Sequence, residues 1–158
     1  MTPRSLPSLC AAFVVLSLVA TGPLVGIDVT QGSPESFGEG TATVTAVDVE
    51  FSELRVTDGR FGTDVSYLRV PTASVTVGSV TGRPRLVYLV RVPAVDIEVV
   101  STTLVTEPSR TYTLDPGDEG VERGSVQGPV TATVTVRVQS FSVDRTITQQ
   151  NITVEGQA

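Results

Sequence analysis

The chain has 158 residues, and its eleven basic side chains, every one an arginine, stand against seventeen acidic ones, for a formal net charge of −6 and a pI near 4.5. That length allows one targeting segment and one domain of ordinary size, about 100–150 residues, and leaves no room for a second independent core. The acidic balance, the scattered arginines and the lack of Trp argue against a nucleic-acid partner, which needs clustered cations and, for single strands, stacking aromatics.

The first element is apolar. No charge lies between Arg4 and Asp28, and Leu9 to Ile27 is nineteen positions interrupted only by Ser17, Thr21, Gly22, Pro23 and Gly26. About 20 apolar residues cross a bilayer core, whereas a signal-peptide core needs about 7–15, so residues 1–27 read as an apolar helix, either a transmembrane anchor or a signal peptide. Cleavage after Ala20 would place bulky Leu18 at −3, and cleavage after Gly22 would place Pro23 at +1. Neither suits a signal peptidase, so the anchor is the preferred reading and secretion the alternative. The membrane is then a partner through residues 9–27, and Arg4 on the near side places the C-terminal domain outside the cell. Cys10 is the only cysteine, which excludes an intramolecular disulfide. It precedes its apolar stretch and follows Leu9, an arrangement unlike that of a lipid-attachment cysteine.

Residues 28–40, with Gly32, Ser33, Pro34, Gly38 and Gly40, read as a flexible linker. Residues 41–158 read as one domain rich in Val and Thr, whose branched Cβ suits a pleated surface better than a helix. Alternation of apolar and polar residues predicts strands over Val44–Phe51, Val65–Val77, Leu86–Val92, Val95–Val99 and Val130–Val138. In the last of these, Val134 and Val136 are expected in the core, with Thr133, Thr135 and Arg137 facing solvent. Turns are expected at Asp58-Gly59, Gly78-Ser79, Thr81-Gly82, Asp115-Pro116-Gly117 and Gly128-Pro129. Such spacing predicts an all-β fold, an antiparallel β-sandwich of Ig-like general architecture, behind the N-terminal apolar helix. Pro71 and Pro93 mark edges or bulges.

Two internal echoes stand out. Thr41-Ala42-Thr43-Val44-Thr45 recurs as Thr131-Ala132-Thr133-Val134-Thr135, with Phe51-Ser52 and Arg55 matched by Phe141-Ser142 and Arg145 at the same offset. Chance repetition in a Val/Thr-rich chain competes with duplication here. Tyr67–Pro71 resembles Tyr88–Pro93 with Val90 as one extra residue, which would be a bulge if the two strands were neighbours. In composition, with no lysine and an acidic excess, the chain resembles exported or membrane-anchored surface proteins of halophilic archaea. A GC-rich genome that writes Arg for Lys would give part of the same pattern.

The available chemistry is narrow. Without His, and with Cys10 in the apolar segment, triad hydrolysis and the usual zinc sites are excluded. No glycine-rich phosphate loop is present, and no cofactor is expected. Carboxylates remain: Asp48 and Glu50 would share one strand face, as would Asp96 and Glu98, and these are read foremost as solvent-facing positions. The densest acidic cluster is Asp115, Asp118, Glu119 and Glu122, a weak metal candidate without EF-hand spacing, expected to be a solvated turn. Asn151-Ile152-Thr153 is a glycosylation sequon at the only Asn in the chain. The expectation is a non-enzymatic cell-envelope or secreted protein, structural or adhesive in role, with other envelope proteins as partners. The alternative is an extracellular module that binds a cation or a glycan.

Overall fold

A computed structural model describes residues 38–59 and 64–155. The chain divides after Glu35, and every described residue belongs to the second unit. The apolar segment 9–27 and its anchor-or-signal assignment lie outside the described residues, as does the linker up to residue 37. No helix among the described residues is long and apolar enough to cross a membrane.

The described residues are all-β, in three antiparallel sheets without an α-helix. The strands are β1 (Gly40–Val49), β2 (Arg55–Asp58), β3 (Val65–Arg69), β4 (Ala73–Gly82), β5 (Arg85–Val92), β6 (Ile97–Leu104), β7 (Arg110–Leu114), β8 (Glu119–Glu122), β9 (Val130–Gln139) and β10 (Asp144–Val154). One sheet runs β1-β4-β7, a second β10-β9-β5-β6, and a third β2-β3-β8. Every neighbouring pair is antiparallel.

A single hydrophobic core draws on all three sheets. Val75, Val77 and Leu114 come from the first, Tyr88, Val90, Val134 and Val136 from the second, and Leu68 and Val121 from the third. The strongest alternation therefore points as expected: Val134 and Val136 are 1% and 0% exposed. Thr135 departs from expectation. It lies on the face turned away from that core yet is buried, at 9% exposure. Strand β9 is an inner strand, so Thr135 stands between Leu89 of β5 and Gln149 of β10 in register. A short side chain flanked by two longer ones loses its water from both sides. Arg137, on the same face, stays partly exposed and pairs with Asp144 at 3.6 Å.

Other expectations are corrected by local geometry. The run Val65–Val77 is two strands in different sheets, because Pro71 lacks an amide hydrogen for a continuous ladder. Gly78-Ser79 and Thr81 are not turns but part of β4, where the β1 register shifts on either side of Val44. A Cβ on Gly78 would lie 2.8 Å from Thr45 Cγ2, so the irregularity is tolerated because position 78 has no side chain. The strand expected at Val95–Val99 starts only at Ile97. Pro93–Val95 forms a 3-10 turn closed by Asp96 in the left-handed region (φ 52°), which makes the β5–β6 hairpin. Strand β1 ends at Val49, and Phe51–Glu53 is a second 3-10 turn. Strands β3 and β5, which carry the two Tyr-Leu motifs, are not neighbours, so Val90 is an ordinary core residue and not a bulge. Strands β2, β8 and β10 carry no clear alternation in sequence, being short or polar along the sheet margins, and β7 alternates only over Thr111–Leu114.

Candidate functional site

The acidic positions separate on folding. Asp115 Oδ1 accepts a hydrogen bond from Gly117 N at 2.9 Å, which closes the turn after β7. Asp118 is ion-paired with the Arg69 guanidinium, which in turn lies 5.9 Å from the Tyr67 ring centroid. Glu119 and Glu122 are exposed on β8, three positions apart and hence on opposite faces of that strand. Among the described residues no group of three or more Asp, Glu, His or Cys side chains is close enough to hold a metal ion. The shared faces expected for the other carboxylates are lost too. Glu50 leaves the strand and its Oε1 accepts from Ser52 Oγ at 2.7 Å, while Asp96 sits in the hairpin turn and Glu98 pairs with Arg91 Nε at 2.8 Å. Asn151 is exposed on edge strand β10, where its Oδ1 accepts from Thr133 Oγ1 at 3.1 Å.

A cleft of about 400 Å³ lies elsewhere, at the end of the second sheet. Its floor and walls come from five places in the chain: Gly38, Arg83 and Arg85, Leu104 at the end of β6, Gln139 at the end of β9, and the β9–β10 loop with Ser140 and Phe141. Arg85 Nε donates to Gln139 Oε1 at 2.9 Å, and Gln139 Nε2 donates to Asp144 Oδ2 at 3.3 Å. The loop is held at its base, since Ser140 N donates to Val143 O at 2.6 Å and Ser140 Oγ accepts from Val143 N at 3.0 Å. It is also tied to the chain ahead of β1, because Phe141 N donates to Gly38 O at 2.6 Å.

Phe141 is the key side chain. It is 85% exposed, the most exposed large apolar residue of the described chain, and Leu104 beside the same cleft is 56% exposed. Its ring sits over Gly38, where a Cβ would come within 2.7 Å of it, so glycine is required there both by space and by a φ of 81°. The hairpin backbone thus presents an aromatic ring to solvent from an anchored position. Chemically the cleft offers apolar contact from Phe141 and Leu104 beside two guanidinium groups. Among the described residues that line it, no nucleophile is paired with a base.

A second surface feature lies on the face of the same sheet that points away from the core. Leu89 and Val100 stand opposite each other on β5 and β6, with Thr135 next to Leu89 on β9. Val100 is 47% exposed, and β6 forms the sheet edge. A smaller cleft of about 360 Å³, lined by Arg91, Pro93, Asp96, Ile97 and Glu98, marks the opposite end.

Sequence reasoning missed the Phe141 cleft because its residues are scattered from position 38 to position 141. The one local signal was an aromatic residue between two serines, where a polar turn would ordinarily stand. No protein-family profile matches the chain, and neither the curated proteins nor the solved structures include a match.

Proposed function

We propose that the chain is a non-enzymatic cell-envelope protein. In this reading residues 9–27 hold it in the membrane, or export it, and the β-domain lies outside the cell as a structural or adhesive module for other envelope proteins. The observation that carries the proposal is Val100, exposed on edge strand β6 and paired with Leu89 of β5 on the face turned away from the core. An edge strand presents unpaired backbone groups as a template for another chain, and soluble proteins usually guard such edges with Lys, Pro or a bulge. Strand β6 has an unbroken register with β5, no proline, and Glu98 as its only charge. We further read the two larger sheets as the faces of an Ig-like β-sandwich, since both contribute side chains to one core.

The test has two arms on intact cells that express the full chain. External protease should digest residues 28–158, and protection until lysis would place the domain on the wrong side. Zero-length or short crosslinkers should join the protein to an envelope neighbour or to a second copy. Val100→Asp should abolish that crosslink while the melting temperature stays unchanged, and a crosslink indifferent to Val100→Asp would remove the sheet-edge reading.

The cation-module alternative is less well supported, because Asp115 and Asp118 already have partners within the fold. It predicts a calcium-dependent rise in melting temperature that is lost when Asp115, Asp118, Glu119 and Glu122 are replaced by Ser. The envelope reading predicts no such rise.

A further inference from the structure

We propose that Asn151 is a glycosylated residue, carrying an N-linked oligosaccharide on the outward face of the second sheet. The inference rests on the reading that the β-domain lies outside the cell. It goes further by naming the modified atom, Asn151 Nδ2, and the chemical class of the donor, a lipid-linked oligosaccharide. In the transfer, Nδ2 bonds to the anomeric carbon of the donor sugar and gives up one proton to a base of the transferase. The bond from that carbon to the carrier's phosphate oxygen breaks, and its electron pair leaves with the lipid phosphate.

The way β10 presents the sequon supports this. Successive strand residues oppose each other, so Asn151 and Thr153 share one face while Ile152 turns to the other. Asn151 and Thr153 are exposed, whereas Ile152 is half-buried against the core. The two polar residues that define the sequon thus stand together in solvent on an edge strand. The amide is also set for the reaction's product. Its Oδ1 accepts from Thr133 Oγ1 at 3.1 Å, and among the described residues no hydrogen bond engages Nδ2. The folded domain therefore carries a sugar on that nitrogen without giving up a contact.

The surroundings of Asn151 are of one chemical kind. In register Asn151 stands opposite Thr133, while Gln149 and Thr153 on either side of it stand opposite Thr135 and Thr131. All five are uncharged side chains that both donate and accept hydrogen bonds, a bed suited to sugar hydroxyls. The edge itself adds a physical reason for a glycan there. From Thr146 to Val154 strand β10 has no charged residue and no proline, and its register shift lies between Thr146 and Thr148. Such an edge invites pairing with another chain. A hydrated oligosaccharide at Asn151 hinders that pairing and leaves β6 as the open edge of the same sheet.

The test uses the full chain purified from its native cells, digested with trypsin and read by mass spectrometry. Cleavage after Arg145 releases residues 146–158, which contain the only Asn of the chain. The expected result is a peptide heavier by whole sugar residues, with fragmentation placing them on Asn151. Asn151→Gln and Thr153→Ala should each return the peptide to its unmodified mass, whereas Thr153→Ser, which keeps the sequon, should retain the sugars. External protease on the same cells reports independently which side of the membrane the domain occupies. An unmodified peptide from cells whose domain the protease digests would overturn the inference while the outward reading stands. Sugars that persist in Asn151→Gln would overturn it as well, since they would then sit on another residue. A domain protected until lysis, with an unmodified peptide, would overturn the outward reading and the inference with it.

Discussion

Tyr88 of β5 is tied to the segment between β3 and β4. Its ring is fully buried in the core and its hydroxyl donates to Pro71 O at 3.0 Å, across the break between β3 and β4. Burial disfavours the phenolate and pushes its pKa up to about 12 from 10.0. The folded state therefore holds the proton more tightly than the unfolded chain does. The stability from this group is complete below pH 10 and declines as the pH rises from 10 towards 12. Tyr88→Phe should lower stability near neutral pH by about 1 kcal/mol, the net worth of a buried hydrogen bond, and should also flatten the loss between pH 10 and 12. Denaturant titrations at pH 7, 10 and 11.5 would measure both effects. An equally steep alkaline loss in the variant would assign it to other groups.

Strand β9 carries the same lesson about faces. Val134→Ala should cost roughly 1–3 kcal/mol through lost burial and the cavity left behind. Thr135→Ala should cost less than Val134→Ala but more than the ~0.5 kcal/mol of a typical surface change, because Thr135 is covered by its neighbours on both sides. Equilibrium unfolding at one fixed salt concentration ranks them. A Thr135→Ala variant indistinguishable from the parent would show that the side chain is solvated despite its flanking strands.

At the scale of the element, the start of β1 depends on a backbone contact that no side chain can share. Gly40 has φ 106°, and a Cβ there would lie 1.8 Å from Thr81 O. Gly40→Ala must therefore push β1 away from β4 at the point where Gly40 faces Gly82. A loss of more than about 2 kcal/mol is expected, beyond the ~1 kcal/mol that a positive φ by itself costs an alanine. Gly117, also at positive φ (76°) but with nothing within 4 Å of its would-be Cβ, is the natural control. Thermal melts of the two alanine variants should separate clearly, and equal losses would mean that the β1–β4 contact yields easily. The echo between Thr41–Thr45 and Thr131–Thr135 is visible at this scale as well. Ala42 and Ala132 are both buried in strands β1 and β9 of different sheets, yet Phe51 is half-buried against the core whereas Phe141 points to solvent. The same local string thus enters two different environments.

At the scale of the whole molecule, long-range polar ties join the sheets. One is the bond from Arg145 Nη2 to Ala42 O at 2.8 Å, which links β10 of the second sheet to β1 of the first across more than a hundred residues. Arg145→Met, which keeps most of the apolar stem, should lower the melting temperature by a few degrees, consistent with the loss of about 1–2 kcal/mol from a charge-assisted bond at a partly exposed site. It should do so at high salt too, since a direct hydrogen bond to a carbonyl is screened far less than a distant charge. A destabilisation that vanishes in molar salt would show that Arg145 acts as a general countercharge in an acidic protein and not as a tie between sheets.

What could be read from the chain by itself was whatever depends on neighbours in sequence. The β-branched composition and the period-two alternation of Val130–Val138 were enough for an all-β fold and for which face of β9 enters the core, because successive side chains on a strand must oppose each other. The lack of His and the placement of Cys10 bounded the chemistry in the same local way. Tertiary structure decided everything that depends on which strands lie side by side. Thr135 is buried only because β9 has a neighbour on each side, and Gly78 is a strand residue only because β1 shifts its register opposite it. The acidic run from Asp115 to Glu122 ceased to be a cluster when part of it became β8, where alternation turns Glu119 and Glu122 apart. The Phe141 cleft exists only because folding brings Gly38, Arg83, Leu104 and the β9–β10 loop to one end of a sheet. No spacing in the sequence encodes that meeting, since it is set by strand order and register, which arise from packing against a common core.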